Sequence, residues 1–212
     1  EETALARKTE RARRLIAEAR PATGTPVEAY LAGRALRLPE GCPLRYHPDA
    51  YHWPSRMGLP AMVAPVVPIH GRDGDPPQSA HQTFLAPEGH GKAGVEKPRL
   101  MLGPKSGGVV KLTPDFEVET VLAVAEGIES ALAAIMAGLP TWAAIDAGNL
   151  KEFPVLDGIE TLWICADNDR AGLEATEQLA QRWRAARREV RILAPKKPGA
   201  DFNDVVKEVA RG

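Results

Sequence analysis

Two stretches of sequence decide the fold: Val121-Leu-Ala-Val-Ala-Glu-Gly-Ile-Glu-Ser130 and Thr161-Leu-Trp-Ile-Cys-Ala-Asp-Asn-Asp-Arg-Ala-Gly172. Each is an apolar strand that runs into acidic residues and then into the start of a helix. Ligands of open α/β sheets bind beyond the carboxyl ends of the strands, and carboxylates gathered there repel one another unless a cation lies among them. Because all of these side-chain ligands are oxygens, the pattern favours a hard cation, above all Mg²⁺.

The second half of the chain alternates strands with helices, which predicts a mainly parallel sheet. The apolar periodicity places strands at about 120–125, 141–145, 160–166 and 189–194, and helices at about 128–137 and 171–187.

The first half is less regular and mixes helix, strand and loop. A helix over 3–20 ends at Pro21, and a second helix begins at Thr25-Pro26 with Thr25 as its N-cap. Residues 39–60 are predicted to be irregular and residues 86–108 to form a long loop, while 78–85 and 109–112 are predicted strands. A Val-rich strand over 61–69 contains Pro65 and Pro68, which favours an edge strand or a bulge.

Composition excludes several classes of protein. The chain has 212 residues, a formal net charge of −1, 44% hydrophobic and 26% charged residues, which is typical of a globular protein and not of a polycation. Cys42 and Cys165 are the only cysteines, so this sequence contains neither a disulfide framework nor a thiolate zinc site. It has no apolar run long enough to span a bilayer and no signal-peptide pattern, so a cytoplasmic location without membrane contact is expected.

The acidic residues have two interpretations on spacing alone. Asp169 is placed where it would cap the following helix, and Asp167 could be a solvated loop residue. A third acidic segment, Asp201-Phe-Asn-Asp204, follows the last predicted strand and strengthens the case for a metal site. Spacing by itself leaves the metal site and the structural roles equally open.

The motifs resemble a known family. Glu126-Gly127 and Asp167-Asn-Asp-Arg-Ala-Gly172 are similar to the Toprim domain of primases, topoisomerases and related nucleases, and the second motif is close to the form in bacterial and phage replicative primases. Residues 59–69 with the return strand resemble the hairpin of the primase core, 97–104 the basic segment after it, and 199–205 the segment that supplies a further acid in phage-type primases. The implied fold is α/β and Toprim-like, a mainly parallel sheet with flanking helices (116–212), preceded by a smaller α+β basic subdomain (1–115).

The resemblance implies DNA-templated primer synthesis, a nucleotidyl transfer, in phage or plasmid replication. It implies Mg²⁺ or Mn²⁺ as cofactor, and single-stranded DNA template, nucleoside triphosphates and a replicative helicase as partners. Its catalytic residues would be Glu126, Asp167 and Asp169, and its metal ligands these three and Asp201. Contacts to nucleic acid or nucleotide would come from basic residues, namely Lys92, Lys97, Arg99, Lys105, Lys111 and Arg170.

The sequence also departs from the family and leaves alternatives. The zinc ribbon of such primases is not present in these residues, and the return strand lacks their Gly-Gly-Arg, so His81 is either a substitute contact or structural. Glu129 either joins the site or caps its helix. Aromatic residues that either stack on bases or pack are Tyr46, Tyr51 and Trp53. Two other functions fit the same motifs, a Toprim nuclease that uses water as nucleophile and a non-catalytic nucleic-acid-binding adaptor.

Overall fold

The chain folds as two compact units, Glu1–Gly108 and Val109–Gly212, in a computed structural model that describes residues 2–195. The predicted boundary at residue 115 falls a short distance beyond the division between the units.

Unit 1 is an antiparallel sheet with helices. Its elements are α1 (Glu2–Glu18), β1 (Arg20–Pro21), α2 (Pro26–Ala32), β2 (Arg45–His52), β3 (Met57–Pro68), β4 (Ser79–Phe84) and β5 (Arg99–Leu102). The strands pair in the order β1-β2-β3-β4-β5, each antiparallel to its neighbour. The apolar face of α1, with Ala12 and Ile16, packs on Val63 and Phe84 of the sheet. The predicted cap of α2 is confirmed, since Thr25 Oγ1 accepts a hydrogen bond from the Val27 N–H and Pro26 opens the helix.

Two predictions for unit 1 are wrong. Residues 39–60 are not irregular throughout, because β2 and the start of β3 lie there and pair with each other. β3 is not an edge strand, because β2 and β4 flank it. The carbonyl of Val66 accepts a hydrogen bond from the N–H of Gln78, so the backbone polar groups of Val66 point towards the β4 side of the strand. The nitrogen of the preceding Pro65 therefore points away from β4, and the N–H that proline lacks is not needed for pairing with that strand.

Unit 2 is built on a mainly parallel sheet, as predicted. Its strands are β6 (Gly108–Lys111), β7 (Val121–Ala125), β8 (Thr141–Ala143), β9 (Thr161–Cys165) and β10 (Glu189–Leu193). They pair in the order β6-β8-β7-β9-β10, and only the β6–β8 pair is antiparallel. The helices are α3 (Ile128–Met136), α4 (Ala147–Lys151) and α5 (Arg170–Ala185), with a 3-10 turn at Asp115–Glu117.

The apolar faces of the helices contribute to the core of unit 2. Leu179, Ala180 and Trp183 of α5 are fully buried, and the Trp183 ring stacks on Phe153 with 6.4 Å between ring centroids. Across the part of the chain that the structure describes, we find no helix with the length and apolar character that a membrane crossing requires.

Both cysteines are reduced, and burial raises the pKa of the Cys42 thiol from 9.0 to about 11. At pH 8 the folded chain therefore holds far less Cys42 thiolate than the unfolded chain. We expect a Cys165→Ala variant, in which Cys42 is the remaining thiol, to react with a disulfide reagent roughly 100-fold more slowly when folded than in urea.

The same shift has a consequence for stability. Between pH 9 and about 11 the unfolded thiol ionises while the folded thiol stays protonated, so stability falls as pH rises through this window. A Cys42→Ser variant is the control, and its alkaline loss of stability should be smaller. Equal reaction rates in native and denaturing buffer would contradict the expected burial.

Candidate catalytic site

The carboxyl ends of β7 and β9 meet at one edge of the unit 2 sheet. The two strands are parallel neighbours, in a register that pairs Ala125 with Cys165. Glu126 follows Ala125 directly, and Asp167 lies two residues beyond Cys165. Strand pairing therefore brings together the two junctions that lie about 40 residues apart in the sequence, at the position where α/β sheets bind ligands.

Asp167 is held in place by a residue that the sequence did not single out. The hydroxyl of Ser130, in the first turn of α3, donates a hydrogen bond of 3.1 Å to Asp167 Oδ1. Ser130 is buried, whereas Asp167 is half-buried. The Asp167 charge also affects Cys165. The pKa of the Cys165 thiol is raised to about 12, mainly by burial and to a smaller extent by the nearby Asp167 carboxylate. The helix after the first junction thus orients the acid of the second.

Asp169 performs the capping role that the sequence left open. It has extended backbone angles, and its Oδ1 accepts a hydrogen bond of 2.8 Å from the Gly172 N–H at the start of α5. Its other oxygen, Oδ2, accepts no hydrogen bond from the residues in 2–195. Asp169 and the adjacent Arg170, the first residue of α5, are both exposed. Capping fixes the carboxylate at the strand–helix junction and leaves an oxygen for a ligand.

Gly172 is required by close packing at this junction. A Cβ built on Gly172 would lie 2.7 Å from the carbonyl oxygen of Asp167, a backbone atom that cannot move without the acidic loop. Gly172→Ala should therefore lower the free energy of unfolding by about 1–3 kcal/mol, the usual cost of overpacking, although alanine is the better helix former.

Urea unfolding of Gly172→Ala tests this expectation, with Gly94→Ala as the control because no atom lies within 4 Å of a Cβ built there. A Gly172→Ala variant as stable as the wild type would mean that the loop yields freely and does not fix Asp167.

The glutamates of the first junction differ in exposure. Glu126 is half-buried at the end of β7, and Glu129 in the first turn of α3 is buried with 7% of its surface exposed. Glu126 is therefore the more accessible of the two.

A third strand ends in an acid that sequence reasoning missed. β8 lies beside β7, and two residues after it Ile145 adopts φ 82° and is followed by Asp146, which caps α4 by accepting from Asn149 N–H at 2.9 Å. A β-branched residue in the left-handed region is strained, and such strain concentrates at functional sites. The signal was present, since Ile145-Asp146 after a strand repeats the strand–acid–helix pattern.

The donor chemistry at this edge fits a divalent metal ion. Glu126, Asp167 and Asp169 offer the carboxylate oxygens that Mg²⁺ and Mn²⁺ prefer. Within residues 2–195, however, no group of three His, Cys, Asp or Glu side chains converges tightly enough to surround a cation. Asp201, the fourth predicted ligand, lies outside the described residues.

The predicted basic residues occupy different settings. In unit 1, Lys97, Arg99 and Lys105 are exposed and Lys92 is half-buried. Lys111, in unit 2, differs from these four because its ammonium donates to both oxygens of Asp115 at 2.7 and 2.8 Å and lies 4.5 Å from the Trp142 ring centroid. The Lys111 side chain is 7% exposed, so its charge serves an internal ion pair in this structure.

The remaining candidates also separate by burial. His81 is 8% exposed in the middle of β4, between Ala64 of β3 and Met101 of β5, as a structural histidine would be. Tyr46 is buried in β2, whereas Tyr51 and Trp53 are more than half exposed.

Comparison with known families covers both units. A model described as a domain of unknown function (DUF7146) matches residues 6–112, which is half of the chain, and a Toprim domain model matches residues 121–211. The chain belongs to the DUF7146 family and carries a Toprim domain. The predicted Toprim-like α/β fold is thereby confirmed. A search of curated proteins gave no significant match.

Solved structures agree on the fold. A DNA primase domain from Pseudomonas aeruginosa superposes with a TM-score of 0.62 at 15% identity, covering 95% of this chain and 74% of the other. The primase fragment of the bacteriophage T7 primase-helicase gives 0.58 at 16% identity, covering 84% and 69%. The zinc-binding and RNA polymerase domains of Aquifex aeolicus primase give 0.58 at 14% identity, covering 97% and 57%. This DUF7146–Toprim chain therefore shares its fold with primase domains from bacteria and a phage.

Proposed function

We propose that this DUF7146–Toprim protein is a primase catalytic core that joins nucleotides on a single-stranded DNA template. The observation that supports it best is the β7–β9 register, which places Glu126 and Asp167 at one sheet edge. Phosphoryl transfer needs little covalent chemistry from a protein and depends on positioning and on charge neutralisation. Carboxylates held at one sheet edge beside the start of α5 suit that requirement.

Each residue of the edge has a role in this proposal. Asp167, oriented by Ser130, and Asp169, fixed by its cap to Gly172, would hold Mg²⁺ or Mn²⁺. A divalent ion bound there supplies positive charge to the attacking and leaving oxygens of the transferred phosphoryl group. Glu126 would either complete the metal ligands or accept the proton of the attacking 3′-hydroxyl, with Asp201 as a further ligand. Arg170 would contact the phosphates of the nucleoside triphosphate.

The exposed basic residues of unit 1 would contact the template. Lys92, Lys97, Arg99 and Lys105 lie in and beside the segment between β4 and β6, and neutralising phosphates needs only such local charge. The division into a basic subdomain and a Toprim domain near residue 115 belongs to the same proposal, as do a replicative helicase partner and a place in phage or plasmid replication.

A primer-synthesis assay tests the function directly. The chain is incubated with single-stranded DNA, labelled nucleoside triphosphates and Mg²⁺ or Mn²⁺, with EDTA as the control. Template-dependent products longer than one nucleotide are expected. Shortening of the DNA without synthesis would identify a Toprim nuclease, and binding with neither reaction would identify an adaptor. Both results would overturn the proposal.

Reversing two charges tests the template path. We expect Lys97→Glu/Arg99→Glu to weaken binding to all single strands equally, because phosphate contacts carry no sequence information. The log–log salt dependence should flatten by about 1.4 units, since each contact on a single strand contributes about 0.7.

Fluorescence anisotropy with a labelled oligonucleotide at several salt concentrations measures both quantities. Arg184→Glu/Arg187→Glu, an equal change of charge at the end of α5, is the matched control. If the salt dependence of binding flattens in the Arg184→Glu/Arg187→Glu control and not in Lys97→Glu/Arg99→Glu, the template contacts lie at the end of α5 and not at Lys97 and Arg99.

A further inference from the structure

A histidine at the end of β2 is buried between two exposed residues. His52 is 1% exposed, whereas its sequence neighbours Tyr51 and Trp53 are both more than half exposed. Its ring contacts the Phe84 ring edge to face, with 4.7 Å between the centroids. A buried imidazole needs hydrogen-bond partners for its nitrogen atoms. The partners of His52 come from two different segments of unit 1.

The first partner is Ser55, in the hairpin loop between β2 and β3. The Ser55 N–H donates to Nδ1 of His52 at 3.3 Å, and Ser55 Oγ lies 2.7 Å from the same nitrogen. Because a backbone N–H only donates, Nδ1 is an acceptor and carries no hydrogen. The hydrogen of the ring is therefore on Nε2, and the ring is neutral.

The second partner is the carbonyl of Lys97, 45 residues further along the chain, which accepts from Nε2–H at 2.9 Å. The next carbonyl, that of Pro98, accepts from the Phe84 N–H at 2.8 Å. Arg99 then opens β5, which pairs with β4. Three successive residues are thus fixed to the sheet, while the side chains of Lys97 and Arg99 are exposed.

Lys97 depends on the histidine more than the next two residues do. Pro98 and Arg99 are held by backbone groups of β4, which side-chain substitutions leave in place. Lys97 precedes β5, and its carbonyl is bound by a side chain. Without that donor the carbonyl has to turn towards water to find a partner, and the backbone of Lys97 gains freedom. A contact residue that is ordered beforehand avoids this entropy cost when its ligand binds.

We propose that His52 is a positioning residue for the template, holding Lys97 and the adjoining Arg99 in the arrangement that contacts the phosphates of single-stranded DNA. The inference deepens the proposed function, on which it rests for the identity of the ligand. His52 is buried and neutral, so it acts through the Lys97 carbonyl and contributes no charge of its own. Its removal therefore lowers affinity while every surface cation stays in place.

Binding of a labelled oligo(dT) in EDTA, without nucleotides, tests this role separately from catalysis. His52→Phe keeps a ring against Phe84 and loses both hydrogen bonds. We expect it to bind roughly 5- to 30-fold more weakly, the equivalent of ordering the backbone of one further residue on binding. His52→Gln, whose amide reaches the position of Nε2 with a donor, should recover most of the affinity. His52→Asn is too short to reach the Lys97 carbonyl and should bind as weakly as His52→Phe.

His47→Phe is the matched control. It makes the same substitution in the same strand, but the His47 ring accepts from the Asp49 N–H at 3.1 Å and lies 3.9 Å from Glu18. We expect its affinity for oligo(dT) to equal that of the wild type. Circular dichroism and urea midpoints verify that each variant is folded under the binding conditions.

A double-mutant cycle separates positioning from a general structural effect. In the background Lys97→Ala/Arg99→Ala, the substitution His52→Phe should cause no further loss of affinity, because the cations that it positions are gone. A histidine that only stabilises unit 1 would weaken binding by the same factor in both backgrounds.

Hydrogen exchange in the absence of DNA measures the order of the segment directly. Amides of a peptide covering residues 96–102 should exchange faster in His52→Phe and His52→Asn than in the wild type. They should exchange nearly as slowly as in the wild type in His52→Gln and in the His47→Phe control.

Three results would overturn the positioning role of His52. These are wild-type affinity in both His52→Phe and His52→Asn, an equal loss of affinity in the two backgrounds of the cycle, and unchanged exchange of residues 96–102. Failure of primer synthesis with the coupling between His52 and the two cations intact would refute the proposed catalytic function and leave the positioning role standing.

Discussion

Replacing Asp167 or Asp169 with asparagine is expected to abolish nucleotide incorporation dependent on Mg²⁺ or Mn²⁺ while leaving the chain folded. Asparagine keeps the size of each side chain and removes the charge that would hold the metal. At Asp169 it also keeps the helix cap, because asparagine is as good an N-cap as aspartate. At Asp167 its carbonyl oxygen still accepts from Ser130.

The stability of these variants carries a second expectation. Both asparagine variants should keep the wild-type unfolding midpoint in EDTA, because asparagine retains the bond from Ser130 at position 167 and the helix cap at position 169. Asp169→Ala differs, since it also removes the bond to Gly172 N–H and should lose about 0.5–2 kcal/mol. Comparing Asp169→Asn with Asp169→Ala separates the effect of losing the charge from the effect of losing the helix cap.

The measurement is incorporation of labelled nucleotide on a single-stranded template, together with urea unfolding in EDTA. Asp157→Asn is the control, because Asp157 is an exposed acid of the same unit that precedes β9, whereas Asp167 and Asp169 follow it. Wild-type activity in both Asp167→Asn and Asp169→Asn would remove these residues from the site.

Glu126→Gln is expected to lower the rate of incorporation by about 10²-fold or more, the usual effect of deleting a general base. Glutamine has the shape of glutamate but neither its charge nor its basicity. Glu126 follows β7 directly and is half-buried, so the substitution should not disturb the packing of Leu122 and Val124 within the strand.

Titrating the metal ion distinguishes the two roles of Glu126. A general base changes the maximal rate and leaves the metal concentration at half-maximal activity nearly constant. A ligand shifts that concentration and recovers much of the rate when metal is in excess. Glu119→Gln, an exposed glutamate just before β7, serves as the control. No change in either quantity would place Glu126 outside the catalytic group.

The sequence by itself determined the architecture of unit 2. Apolar runs such as Val121–Ala125 and Thr161–Cys165, separated by helices with an apolar stripe, can bury their surface only in a layered α/β sheet. It also determined local features whose partners are near in the chain. The cap from Thr25 to Val27 and the cap from Asp169 to Gly172 each join residues two or three positions apart.

Only the tertiary structure decided features that depend on distant partners. β2 has a proline in its bulge and few strong strand formers, and it is a strand because β3 supplies its hydrogen bonds. Ser130 reaches Asp167 only because β7 and β9 are neighbours. Burial likewise follows packing, so Tyr46 became core and Trp53 an exposed ring. Local periodicity fixes which face of an element is apolar, whereas the three-dimensional arrangement fixes which polar and aromatic groups meet.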